Sequence, residues 1–205
     1  MAYYYSPFRK KYSKRKTAGC VFCDQVAMTI ESVPNAKGKP VENDSYRWVV
    51  NMFPKFEGHT LAIPKRHITS IGSESPREIC DREEIFSTAS ATLKALYPGA
   101  GVEIFLQTGD GSESSIPHLH WHIVPALPGD PFRGFDKMGH FFTIQPEQER
   151  VLIFPVKIRR ARKQLQTALS KILSGKAQRK TSHESDSHGR RKGDPAQQHQ
   201  KPPRQ

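Results

Sequence analysis

The fold of this chain is decided by one run of ten residues at positions 116–125, Ile116-Pro117-His118-Leu119-His120-Trp121-His122-Ile123-Val124-Pro125. Its three histidines recur at every second position, and large apolar residues fill the gaps between them. Because the side chains of a β-strand alternate between two faces, the run predicts a strand with one imidazole face and one apolar face. Successive histidines would stand roughly 6.6–6.8 Å apart on one side of a sheet. A phosphoryl group fits among side chains with that spacing.

The segments around this run predict further strands and one well-defined helix. Strands are predicted at 46–52, 59–63 and 102–107. The last of these feeds a polar, glycine-containing loop that leads directly into the histidine run, so the two strands are expected to be antiparallel neighbours. Residues 75–78 read Ser-Pro-Arg-Glu, a capping box with proline at the first helical position. The helix that it opens should bury one stripe of residues, namely Ile79, Phe86, Ala89, Leu93 and Leu96, and Cys80 is expected to be a small buried residue in it.

Length and composition favour one domain in a reducing compartment. A chain of 205 residues is long enough for one full core. It contains no run of 18 apolar residues, and its first residues lack the apolar centre of a secretory signal. We therefore expect a cytoplasmic protein without a membrane span, in which the three cysteines are not paired as disulfides.

The net charge of +12 lies at the two ends of the chain. Residues 1–19 hold six Lys or Arg and no acid, residues 157–175 again hold six and none, and residues 176–205 hold eight against three acids. Residues 20–156 carry a net charge of −5. Basic ends on an acidic centre predict contact with a nucleic acid or another anionic partner, unless the charges are only solvated.

This pattern divides the chain into four parts. Residues 1–17 are predicted to be a basic flexible arm, whose aromatic residues either stack on bases or dock on the domain itself. Residues 18–156 form the folded domain. Residues 157–174 predict a basic amphipathic helix, and 175–205, which have almost no large apolar residues, predict a disordered basic tail.

Cys20-Val21-Phe22-Cys23 is a C-x-x-C pair, a spacing that can present two thiolates to one zinc ion. A tetrahedral site needs two further ligands, and none lies close by in the sequence. From the pair alone, a zinc site and two free thiols therefore remain open alternatives.

Residues 18–130 resemble the histidine triad (HIT) superfamily. The resemblance rests on His-x-His-x-His followed by Ile-Val-Pro at 118–125, and on Asn51 eight residues before a Gly-His pair that continues to Pro-Lys-Arg-His at 64–67. It implies an α+β fold, an antiparallel sheet with helices packed on one face, for a HIT-like catalytic domain at 18–156. Members are commonly dimeric, so a second copy of the chain is one expected partner.

The resemblance also implies a mechanism at a nucleotide α-phosphate. His120 matches the nucleophile that forms a nucleotidyl-histidine intermediate, and a neutral imidazole can attack phosphorus without prior activation. His122 matches the residue that donates to the phosphate oxygens, and His59 matches a fourth histidine beneath the triad. Ser115 matches a serine that helps protonate the leaving group. No magnesium requirement is expected, because imidazole and backbone donors can carry the phosphate charge.

Further positions match substrate and metal contacts of the superfamily. Asn51 matches a residue that contacts the ribose, and Gln107 matches one that contacts the phosphates. Ser114 stands where many hydrolases of the superfamily have a glutamine, so it departs from their recognition of the leaving group. Zinc-containing branches use a ligand set that corresponds here to Cys20, Cys23, His67 and His118. Such an ion would be structural, because four protein ligands close the tetrahedron.

The expected function is therefore that of a nucleotidyl hydrolase or transferase. Bacterial dinucleoside-polyphosphate phosphorylases and hydrolases are the members that the run resembles, so the expected substrates are dinucleoside polyphosphates, such as diadenosine tetraphosphate, or nucleoside phosphoramidates. Two alternatives stay open. The triad could serve only to bind nucleotide in a sensor or adaptor, or the basic ends could direct the chemistry to adenylated nucleic-acid ends, as in the aprataxin-like branch.

Overall fold

The computed structural model describes residues 19–24, 31–109, 116–130 and 155–188, together with short pieces at 4–5 and 151–152 and the single residues Ser114, Gly134, Asp136 and Gly139. Within these residues the chain forms two sheets and two long helices. Contacts divide the chain into two compact units, Met1–Ile172 and Leu173–Gln205, and the sheets lie in the first. In the described part of the chain, no helix combines the length and the apolar character needed to span a bilayer.

Four antiparallel strands form the larger sheet. The strands are β2 at Tyr46–Val50, β3 at Thr60–Pro64, β4 at Gly101–Leu106 and β5 at Trp121–Ala126. They lie in the order β2-β3-β5-β4, which places the strand of the histidine run between two partners. The predicted antiparallel pairing of β4 with β5 is confirmed, with Phe105 opposite His122.

A second, two-stranded sheet joins the two ends of the folded unit. It pairs β1 at Tyr4–Tyr5 in parallel with β6 at Val151–Leu152. The backbone of Tyr4 and Tyr5 is therefore paired with the folded domain at these two residues. The rest of the predicted arm at 1–17, up to Thr17, lies outside the described residues.

Helix α1 runs from Pro76 to Leu96 and packs on one face of the larger sheet. Both halves of the predicted capping box are present, with Ser75 at the N-cap. The helix buries Ile85, Ala89 and Leu93 at intervals of four residues, which is the spacing of one helical face. The predicted stripe was wrong at its start, because Ile79 is 40% exposed.

The first turn of α1 buries polar groups in place of Ile79 and Cys80. Asp81 accepts a hydrogen bond from Ser45 at 2.6 Å, and Glu78 accepts two from Arg66 at 2.8 and 2.9 Å. Cys80 is exposed, so its predicted burial was wrong too. Hydrogen bonds from nearby donors offset the desolvation free energy of these buried carboxylates at this end of the helix.

Helix α2 runs from Pro155 to His188. Leu165 belongs to the same buried cluster as Trp48 and Ile123, so α1 and α2 cover the same face of the sheet. The predicted helix at 157–174 lies inside α2. Helix α2 also continues through residues 175–188, which were expected to be disordered. Residues 176–180 contain Lys, Ala, Gln and Arg, which have a high intrinsic helix propensity. Residues 189–205 lie outside the described residues.

Removing the charge at Glu78 should destabilise the fold in a pH-dependent manner. Hydrogen bonds from Arg66 and from the Ser75 backbone N–H lower the pKa of Glu78 from 4.5 to about 2. A lowered pKa in the folded state means that the stabilisation is complete above about pH 4.5 and is lost as the pH falls toward 2. Glu78→Gln should therefore lower the free energy of unfolding by about 1–2 kcal/mol at pH 7 and by less at pH 3, as measured by urea denaturation.

Glu83→Gln on the same helix is the control, since its side chain is 60% exposed and should change stability by less than about 0.5 kcal/mol. An equal loss for Glu78→Gln at both pH values would contradict the assignment.

Candidate active site

The histidine run enters the sheet later than its pattern predicts. Residues 116–120 have no strand partner, and β5 begins only at Trp121. The backbone N–H of His118 donates to the Ile116 carbonyl at 2.8 Å, and that of Leu119 donates to the Ile68 carbonyl at 2.6 Å. These bonds hold the segment in a fixed path beside the loop that follows β3, without a sheet ladder.

The two faces of the run separate as the alternation predicts. Trp121 packs edge to face on Phe86 of α1 at a centroid distance of 5.4 Å, with the Arg82 guanidinium 4.8 Å from its ring. Ile123 lies in the core beneath the same helices. His120 instead packs against Phe22 of the C-x-x-C segment, at a centroid distance of 5.1 Å. Burial on the helix side therefore fixes which face carries the imidazoles.

His118 points toward the C-x-x-C segment and is 1% exposed. Its Nε2–H donates to the Pro64 carbonyl at 3.0 Å, which leaves the lone pair on Nδ1. That nitrogen lies 3.3 Å from the Cys20 Sγ and 3.6 Å from the Cys23 Sγ. Burial lowers the pKa of His118 to about 4, so the ring is a neutral ligand at pH 7.

His120 has the opposite tautomer. Its Nδ1–H donates to the His118 carbonyl at 2.8 Å, so Nε2 carries the lone pair. Burial lowers the pKa of His120, and the bond to the His118 carbonyl opposes that shift only in part. Among the described residues, Nε2 has no hydrogen-bond partner. The structure therefore presents a neutral imidazole with a lone pair available for attack.

His122 is oriented by His59, which lies under it as the sequence predicts. The backbone N–H of Lys55 donates to the His59 Nδ1 at 3.1 Å, which requires the His59 proton to be on Nε2. The His59 Nε2–H then donates to the His122 Nδ1 at 2.9 Å. The His122 proton must lie on its own Nε2, so this ring can donate a hydrogen bond to an anion.

The structure places the other predicted substrate contacts at different points around this pair. The Asn51 Nδ2 lies 3.1 Å from the His59 Nε2, and its Oδ1 accepts from the Phe53 N–H at 2.9 Å. Gln107 directly follows β4 and is half-buried. The Ser114 hydroxyl donates to the Ile116 carbonyl at 3.0 Å. Ser115 lies outside the described residues.

Phe22 is a site residue that the sequence did not single out. It is 7% exposed and lies edge to face against His118 at 5.7 Å and against His120 at 5.1 Å. It also belongs to a small apolar cluster with Val49, Leu61 and Ile63 on the imidazole side of the sheet. The only sequence signal for this role was an aromatic residue inside the C-x-x-C pair.

Cys20, Cys23, His67 and His118 converge, although they come from three separate parts of the chain. One donor atom from each lies within 4.8 Å of all the others. The Sγ–Nδ1 distances of 3.3–3.6 Å suit a tetrahedral cation, for which bond lengths of about 2.0–2.3 Å place the ligand atoms about 3.3–3.8 Å apart. Without a cation, desolvation and the neighbouring Cys20 raise the pKa of Cys23. A divalent cation would reverse that effect, so the donor set fits a metal of the zinc type.

Comparison with known proteins identifies the family. The HIT domain family matches residues 35–128. An uncharacterised HIT-like protein of Mycoplasma genitalium is 30% identical over 112 residues, which are 55% of this chain and 76% of that protein. With its four-stranded antiparallel sheet and its row of alternating histidines, the chain belongs to the HIT family.

Two other relatives illustrate the range of this family. The asymmetrical bis(5'-nucleosyl)-tetraphosphatase of Schizosaccharomyces pombe is 27% identical over 81 residues, 40% of this chain and 44% of that enzyme. The crystal structure of a zinc-bound histidine triad family protein from Mycobacterium smegmatis superposes with a TM-score of 0.54 at 22% identity, covering 77% of this chain and 97% of that one. The second likeness confirms the predicted α+β fold, and the family includes nucleotide hydrolases and transferases.

The opposite tautomers of His118 and His120 can be measured directly. At pH 7, long-range proton–nitrogen correlation spectra of the imidazoles should show the proton of His118 on Nε2 and that of His120 on Nδ1. The physical reason is that each proton is held by a backbone carbonyl. Spectra of His118→Gln and His120→Gln assign the two rings. Protonation of His120 on Nε2 would contradict the geometry on which its nucleophilicity depends.

Proposed function

We propose that this protein is a HIT-type nucleotidyl hydrolase or transferase that cleaves dinucleoside polyphosphates through a covalent intermediate on His120. The observation that carries the proposal is the tautomer of this ring, with Nδ1–H on the His118 carbonyl and the lone pair on Nε2. A nucleotide phosphorus is the electrophile that relatives of known activity attack, as the name of the Schizosaccharomyces pombe tetraphosphatase indicates.

In the first step, the His120 Nε2 attacks the α-phosphorus and the bond from phosphorus to the leaving phosphate oxygen breaks. The ring becomes an N-phosphorylated imidazolium, and its Nδ1–H strengthens the bond to the His118 carbonyl as positive charge develops. Ser115 is proposed to supply the proton that the leaving group needs. In the second step, water or phosphate attacks phosphorus and gives its proton to Ser115, which restores the serine hydroxyl; the N–P bond breaks, and His120 returns to its neutral form.

The other site residues are proposed to bind the nucleotide. The His122 Nε2–H would donate to a non-bridging oxygen of the α-phosphate, because His59 fixes the proton on that side of the ring. Asn51, beside His59, is proposed to contact the ribose. Gln107 and Ser114 are proposed to contact the polyphosphate. None of these steps uses magnesium, so turnover should persist in a magnesium chelator.

We further propose that the cluster of Cys20, Cys23, His67 and His118 binds a structural zinc ion. When bound, zinc would link the C-x-x-C segment to the backbone that precedes β5. Its effect on the reaction would be indirect. The His118 ring would be held on one side by the Pro64 carbonyl and on the other by the cluster, which keeps the His118 carbonyl in place beneath His120.

Diadenosine tetraphosphate tests the reaction and distinguishes its two forms. Hydrolysis should yield AMP and ATP without added phosphate, whereas phosphorolysis should yield ADP only when phosphate is present, as measured by ion-exchange chromatography. His120→Asn should lower turnover by at least about 10³-fold, because no other group can replace the nucleophile. After rapid quenching, mass spectrometry should find adenylate on the wild-type peptide that contains His120.

The control for this experiment is the integrity of the variant. His120→Asn should keep the wild-type melting temperature and metal content, so that the loss can be assigned to chemistry. Nucleotide binding without turnover by the wild-type chain would instead support the sensor alternative and contradict the proposal.

Metal analysis tests the zinc proposal. The purified chain should contain about one zinc ion per molecule. Cys23→Ser should lose most of the metal and melt at a lower temperature, since binding energy of a structural ion contributes to folding. Cys80→Ser is the matched control, because Cys80 is exposed on α1 and lies outside the cluster. Wild-type protein without metal, or equal metal in both variants, would show that the thiols are free.

A further inference from the structure

The outer side of α2 carries positive charge that neither the fold nor the proposed reaction uses. The helix buries Leu165, Ala168 and Leu169 against the rest of the unit. Its opposite side presents four exposed basic residues, Arg159, Arg160, Lys163 and Lys171. In sequence, no acidic residue occurs between Pro155 and His183.

Three of these cations line a groove between α2 and the end of α1. The groove has a volume of about 540 Å³. Arg160, Lys163 and Lys171 contribute its charge, and Gln164, Thr167 and Leu96 contribute polar and apolar surface between them. Within the described residues, none of the three cations is paired with a carboxylate. The groove therefore lacks an internal counterion among the residues that the structure describes.

The dimensions of the groove suit an extended anionic polymer. Arg160 and Lys171 are separated by eleven residues, or about 16 Å along a helix. At roughly 3.4 Å for each nucleotide, the charges of the groove extend along about five nucleotides of one strand. A single sugar–phosphate strand can follow such a row of cations.

The surface chemistry argues against a membrane as the partner. A helix that lies in a bilayer interface needs large apolar residues below its basic ones. Between Arg159 and Lys171, every exposed residue of α2 is basic or polar. The cations flank Gln164, whose side-chain amide can donate a hydrogen bond to a phosphate or sugar oxygen.

We propose that this groove binds the sugar–phosphate backbone of a single-stranded nucleic acid. The groove lies on the α2 side of the sheet, opposite to the imidazole face, and of its three cations only Arg160 also lines the cavity that His59 borders. Binding there tethers the protein to a polymer and leaves the turnover of a free dinucleotide unchanged. The proposal therefore stands or falls independently of the chemistry proposed for His120.

Fluorescence anisotropy with the full chain and a short single-stranded RNA of mixed sequence tests the proposal. Lys163→Gln combined with Lys171→Gln removes two groove charges and keeps long side chains with good helix propensity. Lys37→Gln combined with Lys39→Gln is the matched control, since both lysines are exposed, neither lines the groove, and the double variant removes the same charge. The groove variant should bind the RNA at least about tenfold more weakly at low salt. The slope of the logarithm of its association constant against the logarithm of the salt concentration should be shallower by about 1.4, or about 0.7 for each lost phosphate contact. The control variant should bind like the wild-type chain.

Each other outcome would overturn the proposal. Equal weakening by both double variants would assign the binding to net charge alone, and unchanged binding in the groove variant would assign it to other basic segments of the chain. Equal or tighter binding of polyglutamate or of anionic vesicles would identify an acidic protein or a membrane as the partner. Failure of the wild-type chain to bind the RNA would remove the basis for the groove as a nucleic-acid site.

Discussion

Backbone groups determine the proton position on three histidines of this site, His118, His120 and His59, and the geometry of the site depends on that constraint. The Pro64 carbonyl holds the proton of His118, the His118 carbonyl holds that of His120, and the Lys55 N–H determines that of His59. A side-chain partner could rotate away or titrate, whereas these backbone groups are fixed by the sheet and its loops. The segment 118–122 can therefore present two ring nitrogens with lone pairs, on His118 and His120, and one ring N–H, on His122, within five residues.

His118 links two parts of the site that are far apart in sequence. Its ring lies with Cys20 and Cys23, while its carbonyl lies beneath His120. A displacement of the C-x-x-C segment would thus reach His120 through a single residue. Phe22 reinforces the link, because its ring contacts both imidazoles from the same segment. The cluster and the candidate active site consequently form one structural unit.

Patterns that depend on strand alternation or on helix capping were readable from the sequence. The alternation of His118, His120 and His122 predicted which face carries the imidazoles, and the capping box at Ser75 predicted the start of α1. Predictions that depend on where the core ends were less accurate. Ile79 and Cys80 lie in the first turn of α1, where charged pairs replace apolar contacts, and they are exposed. No local pattern reveals the point at which the sheet stops beneath a helix.

The sequence by itself determined the order of elements, the imidazole face and the candidate nucleophile, because each of these follows from local periodicity or from a compact motif. Only the tertiary structure decided the tautomers and the place of Phe22. It also brings together Cys20, Cys23, His67 and His118, a set that the sequence could name only through its family resemblance. The tautomers depend on carbonyls and amides contributed by residues such as Pro64 and Lys55. The four cluster residues meet only because the loop after β3 passes beside both the C-x-x-C segment and the entry to β5. Contacts of this kind arise from packing between distant segments, which no spacing along the chain encodes.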